Sequence, residues 1–179
     1  QLGLVISTGL VGGFCINLGH ETGHKNNSFD KGMAKLILAP TFYGHFTIEH
    51  NRGHHRDVAT PADPASSRMG EALWTFVFRE MPGAFTRAWA LERARMRVDG
   101  QAFWSLRNEI LQPALITLAL WTSLCLWLGP QVLWFLVPAA FWANFQLTCA
   151  NYLEHYGLLR QKTATGRYET CKPHHTWNS

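Results

Sequence analysis

The sequence has no Lys, Arg, Asp or Glu between Ile110 and Leu153, and none in its first nineteen residues. Such a long uncharged stretch excludes an ordinary buried core helix, since a spanning helix takes only roughly 20 mostly apolar residues. The longer run divides at Gly129-Pro130 into Ile110 to Leu128 and Gln131 to Ala150, a transmembrane hairpin. Residues 1–19, interrupted by Asn17, read as most of a third span. Cysteine is scarce and unpaired in spacing. Cys15, Cys125 and Cys149 sit in apolar runs and Cys171 stands apart, which argues against a disulfide framework or a zinc ribbon. The chain lacks an initial Met, a basic stretch before its first apolar run and a small-residue cleavage site. The expectation is therefore a helix entered partway rather than a signal peptide, in a chain truncated at both ends. There is no internal repeat, and only Thr60 to Ser67 (TPADPASS) has clear loop composition.

What charge there is lies elsewhere. A mean hydropathy of -0.08 averages the apolar runs with a charged middle segment. Sixteen Lys and Arg oppose twelve Asp and Glu. Nine of the basic residues fall between Arg52 and Arg107, and four more, Arg160, Lys162, Arg167 and Lys172, follow the hairpin. The positive-inside rule places both regions in the cytoplasm, and a hairpin returns the chain to the side it left. From Met69 to Asn108 aromatic residues alternate with Arg79, Arg87, Arg93, Arg95, Arg97 and Arg107. Two readings stay open there: helices lying at the membrane surface with guanidinium groups in water, or an amphipathic hairpin packed on the membrane domain. The fold class expected is all-α, an integral-membrane helical bundle. It forms one domain over residues 1–179, with spans near 1–19, 110–128 and 131–150 and a cytoplasmic loop at 51–108.

Eight of nine histidines fall in four short groups: His20-Glu21-Thr22-Gly23-His24, Glu49 to His55 (EHNRGHH), Glu154-His155 and Pro173-His174-His175. On an α-helix, positions four apart share a face, so His20 pairs with His24 and His50 with His54, while His55 points to an adjacent quadrant. Imidazole nitrogen suits iron, zinc, copper and nickel. His20, His24, His50, His54, His55 and His155 make six candidate donors, more than one tetrahedral ion uses. Glu21, Glu49 and Glu154 could accept the other ring N–H of a ligand histidine, each more readily from another box than from its neighbour in sequence. Asn144, Thr148, Asn151 and His155 recur at helical spacing as one polar stripe, expected to face the bundle interior toward the metal. Helix-to-helix hydrogen bonding is the plainer use of that stripe. His45, among aromatic residues, reads as a packed histidine.

His20 to His24 also matches H-E-x-x-H, a zinc metalloprotease pattern, but that chemistry leaves the other histidines unused. A histidine-rich metal carrier is the other alternative. HETGHK (His20 to Lys25), EHNRGHH (Glu49 to His55) and NYLEHYGL (Asn151 to Leu158) resemble the successive signatures of the membrane-bound alkane hydroxylases, within the membrane fatty-acid desaturase and hydroxylase superfamily. The likeness extends over nearly the whole chain. It implies a centre of two iron ions, O2 as oxidant, and terminal hydroxylation of medium-chain n-alkanes. It also implies electrons from rubredoxin, supplied by an NADH-dependent reductase, at the cytoplasmic side of a bacterial inner membrane. By motif match His20 and His24 form the first box, His50, His54 and His55 the second, and His155 the histidine of NYLEHYGL. A further family box with three histidines is expected beyond Ser179, so the ligand set reads as incomplete. KPHHTWNS is a separate family segment, and His174 and His175 are not counted as ligands. Arg52, Arg56, Arg160, Lys162, Arg167 and Lys172 are expected to form a basic surface for an acidic redox partner, or for membrane lipid. No nucleic-acid partner is expected.

Overall fold

The computed structural model describes residues 2–178. Its helices run in the order α1 (Leu2–Gly23), α2 (Ser28–Leu38), α3 (Phe46–Glu49), α4 (His55–Asp57), α5 (Leu73–Val98), α6 (Leu111–Leu128) and α7 (Leu133–Glu154). A π-turn, His50–His54, joins α3 to α4. The fold is all-α among the described residues, which hold no strand beyond an isolated bridge between Lys162 and Tyr168.

Leu2–Gly23, Leu111–Leu128 and Pro130–Glu154 are each long and apolar enough to cross a membrane, and the chain is a membrane protein. Their outward faces leave Leu4, Phe14, Leu118, Trp127 and Trp134 exposed, as expected where lipid rather than water is the solvent. Two of these helices continue past the uncharged runs that define them in sequence. α1 carries on through His20 to Gly23 and α7 through Asn151 to Glu154. The first histidine group thereby sits at the end of α1, and His155 follows directly on α7.

α1 lies along α7, and small residues make the close approach possible. A Cβ at Gly9 would meet Trp142 Cδ1 at 2.5 Å, and one at Gly12 would meet the Ala143 Cβ at 2.9 Å. Apolar attraction between helices is weak in lipid, so association relies on such close packing and on interhelical hydrogen bonds. Gln146 supplies one, its Nε2 donating to the Gly9 carbonyl at 2.8 Å. α6 is tied similarly, with Thr117 Oγ1 donating to Ala39 O at 2.7 Å. Ile16, Leu38, Tyr43, Phe46 and Ala143 form a buried cluster where α1, α2 and α7 converge under the histidines.

The segment from 69 to 108 packs on α3 and α7 as the second reading expects, but not as a helical hairpin. It holds one long helix, α5, followed by turns, and its guanidinium groups turn inward as well as outward. Arg79 bonds Glu71 at 2.8 Å, Arg87 reaches Glu49 and Asp63, and Arg95 binds Glu92 and Asp99. Buried carboxylates at Glu80 and Glu92 show that α5 packs a polar face against the rest of the protein. The arginines are therefore scaffolding for the region around the second histidine box.

The glycine contact predicts an asymmetric cost. Gly9→Leu should lower stability by about 1–3 kcal/mol through overpacking against Trp142 and Ala139. Gly3→Leu, with nothing within 4 Å of its Cβ position, should change it little. Thermal unfolding of both variants in detergent measures the difference, and equal effects would contradict the α1–α7 packing.

Candidate metal centre

The second histidine box does not continue α3 as an ordinary helix. Its N–H ladder widens, with the His55 N–H bonding the His50 carbonyl across five residues. This wider turn is rare and sets residues five apart on one face. His50 and His55 therefore pair, their Nε2 atoms 3.0 Å apart. His54 keeps its ring stacked on that of His50, with 5.2 Å between centroids, and also stands 4.9 Å from the ring of His155.

From α1, His20 and His24 enter the first group. His20 Nε2 lies 2.8 Å from His50 Nε2 and 2.9 Å from His24 Nε2. Four ring nitrogens, from His20, His24, His50 and His55, lie within 4.8 Å of one another. Hydrogen bonding alone satisfies this arrangement poorly. A ring nitrogen carries either one proton or one lone pair. The single proton of His50 would have to serve both His20 and His55, and the lone pair of His20 would have to accept twice. A cation at their centre would instead take one lone pair from each ring, so the donor set fits a metal ion.

The Nδ1 contacts point the same way. His20 Nδ1 lies 3.1 Å from Glu21 Oε1, His54 Nδ1 lies 2.9 Å from Asp63 Oδ2, and His155 Nδ1 lies 3.4 Å from the His175 carbonyl. With Nδ1 as the protonated donor, each ring presents the free Nε2 pair that a metal needs. Burial, together with neighbouring His54, lowers the pKa of His50, His55 and His155 below the usual imidazole value. These rings are therefore neutral and competent as donors near neutral pH. For His54 burial works against the charge, yet the hydrogen bond and charge of Asp63 outweigh it and raise the pKa.

Asp63 comes from the loop that the sequence marks only by its composition. It is 1% exposed, accepts from Ser66 Oγ at 2.6 Å and from Arg87 Nη2 at 2.8 Å. Burial favours its neutral acid, but His54, Ser66 and Arg87 together hold its pKa down at about 2. No spacing rule marks this aspartate as a partner of a histidine, so sequence reasoning missed it.

Several expected supports take different partners. Glu21 faces the histidine beside it rather than another box. Glu49 is bound by Arg87 Nε at 2.9 Å instead of by a histidine. Glu154 is half-buried, 4.0 Å from His155 Nε2. Asn144 donates to the Thr41 carbonyl at 3.3 Å, a helix-to-helix bond. Thr148 and Asn151 both donate to Glu80, at 2.8 and 3.3 Å. The polar stripe of α7 thus leads to a buried carboxylate on α5, with only His155 reaching the imidazole group. Burial, with Glu49 and Asp63 adding to it, pushes the Glu80 pKa up to about 7. His45 packs between Tyr43 and Phe85, and burial lowers it to about 4.

The expected basic surface is also redrawn. Arg52 is taken up by Glu92 and Glu109, at 3.0 and 2.5 Å. Arg160 is buried and donates to the carbonyls of Glu169 and Arg56. Arg56 pairs with Asp57, Lys172 with Glu169, and Lys162 lies over Tyr168. Arg167 is exposed. Glu169, His174 and His175 also bring ligand-type atoms together. There, however, Lys172 Nζ sits 2.9 Å from the carboxylate and the Lys172 N–H occupies His175 Nδ1, so the group is internally satisfied.

An all-α membrane fold with imidazoles gathered at the ends of its spanning helices is the setting in which the comparisons fall. The fatty acid desaturase family matches residues 1–179, and the chain belongs to that family. Among curated relatives it is 57% identical over 178 residues to alkane 1-monooxygenase 1 of Alcanivorax borkumensis, covering 99% of this chain and 44% of that protein. It is 58% identical over 176 residues to alkane 1-monooxygenase of Pseudomonas putida, covering 98% and 44% respectively. A third, the xylene/toluene monooxygenase hydroxylase component of Pseudomonas putida, is 29% identical over 161 residues, 89% of this chain and 42% of that one. The chain thus spans less than half the length of these relatives.

Two outcomes follow from the carboxylates. Asp63→Asn should weaken metal binding about 10–100-fold, because His54 loses the charge that orients it. Competition against a graded chelator reads this directly, and unchanged affinity would show that Asp63 serves only the loop. Glu80 tests a pH effect. Its pKa is raised from 4.5, so the folded protein holds this proton more tightly than the unfolded chain does. That stabilisation is present below about pH 4.5 and lost as pH rises through about 7. Glu80→Gln should therefore gain on wild type between those limits, by on the order of 3 kcal/mol at the alkaline end. A difference in melting temperature that stays flat with pH would show Glu80 to be ordinary.

Proposed function

We propose that the protein catalyses O2-dependent hydroxylation of the terminal carbon of medium-chain n-alkanes, in the inner membrane of a bacterium with the histidine centre on the cytoplasmic side. The observation that carries this reading is the 57–58% identity to two alkane 1-monooxygenases over 98–99% of the chain. The overall change is R–CH3 + O2 + 2e− + 2H+ → R–CH2OH + H2O. Rubredoxin, reduced by an NADH-dependent reductase, is the proposed electron donor. Basic residues concentrated in 52–107 and after α7 support the orientation through the positive-inside rule.

His20, His24, His50 and His55 would hold one iron, and His54 with His155 would contribute to a second. Bound iron would supply the activation of O2 that side chains alone cannot perform. The chain's own residues set the conditions for it. Burial favours the neutral form of His20, His50, His55 and His155, and Glu21, Asp63 and the His175 carbonyl orient His20, His54 and His155. The apolar spans hold the alkane in the bilayer beside the site. That attraction grows by roughly 0.8 kcal/mol per buried CH2 and recognises no particular position along the substrate. The regiochemistry must therefore come from where the chain end meets the histidines.

A second reading is hydroxylation of the methyl group of an aromatic hydrocarbon, favoured by the 29% identity to the xylene/toluene enzyme component. Membranes containing the full-length protein, rubredoxin, reductase and NADH should convert n-octane under 18O2 to 1-octanol carrying the label. Chelation should abolish the product and ferrous iron restore it, while His55→Ala should reduce it by at least about 100-fold, as loss of a ligand. Iron-loaded protein that gives no octanol but oxidises toluene would establish the second reading. Octanol with oxygen from water would contradict both.

A further inference from the structure

A pocket of about 380 Å3 opens beside the histidines, bounded by the end of α1, by α2, by α3 and by the chain before α6. Its lining includes His24 and His55, but its character comes from Lys25, Lys31, Lys35 and Arg52 against one acid, Glu109. That acid is already committed, since Arg52 Nη2 donates to it at 2.5 Å. The three lysines have no carboxylate partner among the described residues. Lys35 Nζ donates to the neutral amide of Gln112 at 2.5 Å. Lys31 and Lys35 stand one helical turn apart on α2, an arrangement of like charges that costs helix stability unless an anion lies between them.

We propose that this pocket is a binding site for a phosphate-class anion, either the phosphodiester of a lipid headgroup or free phosphate. Ammonium groups are compact point charges suited to phosphate oxygens, with three donors each. Asn51 is also in the lining, and its Nδ2 is already directed at the Gly23 carbonyl, so it fixes the wall rather than the ligand. The volume exceeds what one phosphate needs and is in the range of small-molecule sites. Its place is also suggestive. It lies where the apolar helix α1 ends, and basic pockets beside the ends of spanning helices suit anionic lipid headgroups.

The test uses the protein in nanodiscs of phosphatidylcholine, with phosphatidylglycerol added in one arm and inorganic phosphate in another, at matched ionic strength. Three versions are unfolded thermally: wild type, Lys31→Gln/Lys35→Gln, and a control of equal charge change, Arg97→Gln/Arg167→Gln. All four positions other than Lys35 are exposed, so folding in phosphatidylcholine alone should be common to the three. A lipid site predicts that phosphatidylglycerol raises the melting temperature of wild type and control by about 2–4 °C and leaves the lysine variant unmoved. The same pattern with inorganic phosphate assigns the free anion. Equal shifts in all three proteins would mean unspecific attraction to an anionic surface, and no shift in wild type with either ligand would mean no site; each overturns the proposal.

Discussion

The structure turns on the imidazole of His50. It is half-buried, it meets His20 on one side and His55 on the other, and it can be protonated only at the expense of both contacts. Bringing neutral nitrogen lone pairs this close is unfavourable without a cation, so the surrounding protein must hold them there. Two devices do so. α1 delivers His20 and His24 from one helix end, and the π-turn brings His50 and His55 onto one face of the second box. The same turn leaves His54 between the tight group of four and His155, its ring 5.2 Å from that of His50 and 4.9 Å from that of His155.

What keeps the second box in place is electrostatic rather than apolar. Asp63 holds His54, Arg87 holds Asp63 and Glu49, and Glu92 and Glu109 hold Arg52. α5 runs past all of them and meets α7 through Glu80, Thr148 and Asn151. Charge buried in this way stabilises little by itself and is costly to break. Its effect here is geometric, because each partner fixes the rotamer of the next until a ring nitrogen is aimed.

Much of this was legible in the sequence. The uncharged runs mark the three apolar helices, and the four-residue spacing of His20 and His24 matches their shared face on α1. The hairpin argument anticipates His155 returning beside the second box. The π-turn was not legible, because EHNRGHH satisfies ordinary helical periodicity and the choice between the two ladders is made by tertiary contacts. Asp63 and Glu80 were hidden for a related reason. An acid in a Pro-rich loop and an acid in an arginine-rich helix look like solvated charges until the fold buries them. Arg160 shows the reverse error, a residue read as surface that the chain beyond α7 folds over and buries.

The central claim is that the π-turn separates two metal positions, one among His20, His24, His50 and His55 and one at His54 and His155. Anomalous X-ray scattering at the iron edge from crystals of the iron-loaded protein tests it most directly. The account predicts two peaks, one in each group, separated by roughly 3.5 Å or more. A single peak shared by all six histidines would contradict it.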